Sequence, residues 1–156
     1  MALEQSAVGI AMRESMVLYP AVEILHILGF VLLVGSIAGL DLRLLGVSRH
    51  LPVAPFARHA VPLAVLGFFV AVPAGILLFT TEATSIAVNP AFRTKLACIA
   101  VGLVNAGLFH IGPWRSMAHW GAVNGPPMPV SARIGAVISL LAWAGAITGG
   151  RLIAYL

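Results

Sequence analysis

The chain has 156 residues, of which 60% are hydrophobic and only 9% charged, and its mean hydropathy is +1.03. A soluble domain carries roughly a quarter charged residues, so this composition excludes an ordinary water-soluble fold, and a net charge of +4 carried by scattered loop arginines offers no nucleic-acid surface. It points to one all-α domain spanning 1–156, an integral membrane four-helix bundle, because each crossing of a core of roughly 30 Å takes about 20 apolar residues.

Met1 to Ser15 is mildly polar and lacks the basic start, apolar stretch and small-residue site of a cleavable signal peptide, so the first span is expected to act as the insertion signal. That span, over 17–47, is interrupted only by Glu23, His26, Asp41 and Arg43. At about 1.5 Å per residue it outruns the bilayer core, which predicts a tilt or a projecting end. Ser48 to Ala54 reads as a short loop, and Pro55 suits the first turn of a second span over 55–81 that Pro62 and Pro73 should bend. A turn over 82–90 leads into a third span over 92–111, stopped by Gly112 and Pro113. Trp114 to Trp120 combines aromatic and basic residues in the manner of a headgroup-level anchor. Asn124 to Pro129 reads as a flexible or extended loop, and the fourth span covers 130–156. The single cysteine, Cys98, permits no intrachain disulfide.

We call the face at the start of the first span side A and the opposite face side B. Arg43, Arg49, Arg58, Arg115 and Arg133 fall near side B, and Arg13, Arg93, Lys95 and Arg151 near side A. The small excess predicts a cytoplasmic side B and both termini on the outer face.

Ionisable groups inside a span are costly and are functional candidates by default. Antiparallel second and third spans are expected to bring His59 and His110 to one depth at side B. Two imidazoles facing each other across a bundle are what a six-coordinate haem b needs. Gly107, one turn before His110, and Gly29, one turn after His26, would leave room for the macrocycle, and Arg58 and Arg115 would meet its propionates. The alternative places His59 at headgroup level and makes His110 a polar helix end. His26 lies roughly 15 to 20 Å from the His59 level by helix rise. It is a candidate ligand of a second haem, with Glu23 orienting it and Cys98 at a similar depth, or else a buried hydrogen-bonded histidine. Met117 and His119 beside Trp120, with Met12 and Met16, give a weaker copper alternative. Gly35 and Gly39, and Gly145 and Gly149, form GxxxG pairs that favour close helix contact, within one chain or in a homo-oligomer. No nucleotide loop, hydrolytic triad or zinc-type cysteine pair is present in the sequence.

Tyr19-Pro20, His26, Gly29, Gly35 and Asp41-Leu42-Arg43-Leu44-Leu45-Gly46 resemble a family of small bacterial four-span membrane proteins of unknown function, over about the first third of the chain. The resemblance implies a bacterial inner-membrane protein and marks His26, Asp41 and Arg43. More loosely, four spans with histidines look like the cytochrome b561 kind of b-type cytochrome, although His26 lacks the partner that pattern would supply. The leading expectation is therefore a membrane-embedded b-type haem protein with a redox role, working with a quinone or another redox protein. A transport or metal-handling protein with Glu23, His26 and Asp41 along a polar path, and a non-catalytic helical subunit, are the alternatives.

Overall fold

The computed structural model describes residues 3–120 and 127–156. The expected loop at Asn124 therefore begins outside the described residues; within them Pro129 is extended and leads directly into a helix. Four helices are long and apolar enough to span a membrane: α2 (Leu18–Leu45), α3 (Val53–Phe79), α5 (Pro90–Ile111) and α6 (Val130–Leu152), preceded or joined by the short α1 (Ala7–Glu14) and α4 (Ala83–Val88). A 3-10 segment over Pro113–His119 carries Trp114, where the sequence places its interfacial anchor. No strand occurs among the described residues.

Local chemistry sets the ends. Gly46 takes the left-handed conformation at φ 106°, and Val47 N–H reaches back to the Leu42 carbonyl at 2.9 Å, closing α2 in a Schellman-type cap. Asn89 caps α5 by accepting from Ala91 N–H at 2.9 Å and Phe92 N–H at 3.3 Å, with Pro90 in the first turn. α1 was not foreseen as a helix; Ser6 caps it, and it buries Met12 against Val22 and Ala74. Arg13 then donates to the Thr81 carbonyl at 3.1 Å, and Glu4 accepts the Thr84 N–H at 2.8 Å, a bond that holds its carboxyl below the usual carboxylate range.

The spans are arranged in the order α3–α2–α6–α5: α2 packs on both α3 and α6, and α5 packs on α6. Small residues make this possible. Ala57, Ala132, Ala136 and Ala146 are almost fully buried, whereas Leu28, Phe69 and Leu141 stand outward where hydrocarbon would lie. The tightest crossing joins α2 and α3, where a Cβ on Gly67 would lie 2.5 Å from Leu33 N and 2.6 Å from the Gly29 carbonyl oxygen. Gly29 therefore receives the α3 backbone and leaves no room for a macrocycle. Of the two GxxxG pairs, Gly145 and Gly149 receive Cys98 and the α5 backbone, while Gly35 has nothing within 4 Å.

Candidate functional site

α3 and α5 meet at their side A ends, where Phe79 stacks on Phe92 at 5.3 Å, but do not pack along their length, and they form the two walls of a slot whose floor is α2 and α6. The slot encloses about 340 Å³. Leu33 and Trp143 close its deep end near mid-membrane, and Leu44, Phe109 and His110 lie toward side B. Its rims include Val65, Phe69 and Leu103, all exposed, so it opens sideways onto the surface that lipid would cover.

The lining is mostly apolar, with a few polar groups at its side B half. Asp41 is 6% exposed, and among the described residues its Oδ2 is a buried side-chain oxygen with no hydrogen-bond partner. Ser139, itself buried, is its hydrogen-bonding neighbour from α6. An unpaired buried carboxyl oxygen costs about 1–3 kcal/mol by mutational comparison, so packing alone does not account for it. Asn105 donates to the Gly135 carbonyl at 3.0 Å and fastens α5 to α6 beside the slot. His110 Nδ1 lies 2.8 Å from the Ala106 carbonyl. A carbonyl only accepts, so Nδ1 carries the proton and Nε2 keeps its lone pair. Its ring stacks on Trp114 with centroids 4.9 Å apart, which fixes the imidazole plane.

A second, wider cavity of about 1070 Å³ opens at side A. Tyr19, Glu23, His26, Glu82, Lys95 and Arg151 are among its lining residues. His26 Nδ1 donates to the Ala71 carbonyl at 2.7 Å, again leaving Nε2 with a lone pair, and Gly75 gives the ring its space. His26 also stacks on Phe30, whose ring meets Trp143 edge-on, both at 6.3 Å between centroids. This aromatic run separates the vestibule from the slot.

The residues singled out from sequence are thus distributed over several places. Both histidines are exposed; His110 lines the slot, but His59 sits two residues before Val61, about 200° round α3 from a slot-facing position. The expectation that the second and third spans pack together is corrected, and the two rings do not face each other across one site. Gly107 faces open space, and Arg58 and Arg115 are exposed near side B. Cys98 packs on α6 at Gly145 and is not directed at His26. Met117 and Met12 are buried in separate clusters, which pulls the copper candidates apart. Arg43 donates to the Leu51 and Arg49 carbonyls and pins the loop after α2. Among the described residues no group of three His, Cys, Asp or Glu side chains is close enough to hold a metal ion. Sequence reading noted Asp41 but missed Ser139 and Trp143, since a serine and a tryptophan in an apolar span carry no signal until α6 is laid against α2. No known protein family, curated protein or solved structure matches this chain.

Proposed function

We propose that this membrane protein binds a lipid-soluble small molecule bearing O–H or N–H donors, taken up sideways from the bilayer into the slot between α3 and α5. The observation that carries this reading is the unpaired Asp41 Oδ2, buried in an apolar cavity that opens toward lipid. His110 Nε2 adds a second acceptor at the same end of the slot. A hydroquinone matches this chemistry: its ring suits the apolar walls, its hydroxyls donate to both acceptors, and its tail leaves between the rims. Such a ligand agrees with the redox role and the quinone partner expected from sequence.

The test is titration of the protein in lipid nanodiscs with a short-chain hydroquinone, followed by tryptophan fluorescence through Trp143. Asp41→Leu and His110→Phe are each expected to weaken binding about ten- to hundredfold, the range of one charge-assisted or strong hydrogen bond. His59→Ala should leave it unchanged. A dimethyl ether of the same hydroquinone binding as tightly as the free form would overturn the reading.

A second reading retains haem with different ligation. His26 and His110 each commit Nδ1–H to a backbone carbonyl, as metal-bound histidines commonly do, and each keeps Nε2 available. An air-oxidised and then dithionite-reduced absorption spectrum decides it: a Soret band lost in His110→Ala or His26→Ala supports haem, and a colourless protein that reconstitutes none excludes it.

A further inference from the structure

Among the described residues, the vestibule at side A holds a lysine that no side chain pairs with directly. Of the basic side chains lining it, Arg13 is engaged by the Thr81 and Glu4 carbonyls, at 3.1 and 2.6 Å, and Arg151 by the Tyr155 hydroxyl at 3.0 Å and the Tyr155 ring. Lys95 has no such engagement. Its side chain is half-buried, five residues into α5 and roughly 7 Å below the start of that helix. Among the described residues no hydrogen bond or ion pair reaches its ammonium group. The lysine side chain lies along α6 at Gly150, where a Cβ would be 3.6 Å from Nζ, an ordinary contact, and Gly149 lets α6 pass close to the Lys95 backbone.

Glu23 and Glu82 also line the vestibule, but both are exposed and neither is joined to Lys95. An ammonium group held below the membrane surface is stable when an anion or water supplies what the protein does not. His26 lines the same cavity, and its Nε2 is the ring atom that the bond to Ala71 leaves free. That nitrogen accepts from the O–H of a hydrogen phosphate, or donates when the imidazole is protonated.

We propose that Lys95 and His26 form an oxyanion-binding site at the floor of the side A vestibule, taking a phosphate or carboxylate group. The site is separate from the slot and does not depend on it: Phe30 and Trp143 stand between the two. The shared ligand chemistry is the oxyanion, which comes either from a free small anion or from the headgroup of an anionic lipid.

The experiment is isothermal titration of inorganic phosphate, and separately acetate, into the full chain in nanodiscs of neutral lipid. In parallel, native mass spectrometry follows retention of an anionic phospholipid supplied in mixed nanodiscs. Lys95→Met is the disabling variant, Lys95→Arg keeps the charge, and His26→Gln tests the second pole; circular dichroism checks that each folds. Free-anion binding weakened at least tenfold in Lys95→Met and kept in Lys95→Arg supports the site with a soluble ligand. Lipid retention lost in Lys95→Met and kept in Lys95→Arg, without free-anion binding, supports it with a headgroup. Absence of both free-anion binding and lipid retention from the parent protein, or values in Lys95→Met equal to those of the parent, overturns the proposal. Asp41→Leu should alter neither measurement, so failure here is distinguishable from failure of the slot reading.

Discussion

Asp41 bears a cost that its neighbours do not relieve. One carboxyl oxygen is left without a partner in a cavity whose walls are mostly leucine, alanine, valine and phenylalanine. Replacing the carboxylate by an apolar side chain of similar size removes that cost. Asp41→Leu is therefore expected to stabilise the detergent-solubilised protein by on the order of 1–3 kcal/mol while weakening slot binding about ten- to hundredfold. Thermal unfolding with and without ligand checks this, and an unchanged or lowered midpoint in the variant would show that Oδ2 is already satisfied. Asp41 could be singled out from sequence, because a short carboxylate deep in a span has no route to the surface. Its partner could not, since Ser139 lies 98 residues away and meets it only through the packing of α2 on α6.

At the scale of elements, the α2–α3 crossing depends on two glycines more than on any large side chain. A methyl group on Gly67 would fall on the α2 backbone at 2.5 Å, and backbone cannot rotate aside. Gly67→Ala is expected to destabilise the helix pair by about 1–3 kcal/mol, the usual cost of overpacking. Gly35→Ala, at a position with nothing within 4 Å, should stay within about 0.5 kcal/mol of the parent. Denaturant titration of the two variants separates these outcomes. Equal stability would mean that the helices can part at Gly67 without loss. Both glycines look alike in the sequence, and the GxxxG pattern in fact favours Gly35. Spacing along one helix does not say which face the neighbour will occupy.

At the scale of the whole molecule, four spans return the chain to the side from which it started. Reporters placed before α1 and after α6 should be reached by protease or thiol reagents from the same side of sealed vesicles, and a reporter in the loop after Gly46 from the other. Accessibility of all three from one side would contradict the four-span arrangement. The number of spans and the all-helical class were legible from the sequence, because a 20-residue apolar run has one stable way to satisfy its backbone in lipid. The loop at 48–54 and the turn at 82–90 were legible as local backbone chemistry, whereas the cap at Gly46 falls inside the expected first span of 17–47. The order α3–α2–α6–α5 was not, because all four spans are apolar on every side and no hydrophobic stripe marks an inner face. That order decides the site: it parts α3 from α5, turns His59 away from His110, joins Asp41 to Ser139 and opens the slot. Which apolar surfaces meet is settled by close packing of glycine and alanine over long sequence separations, and only the assembled bundle contains that information.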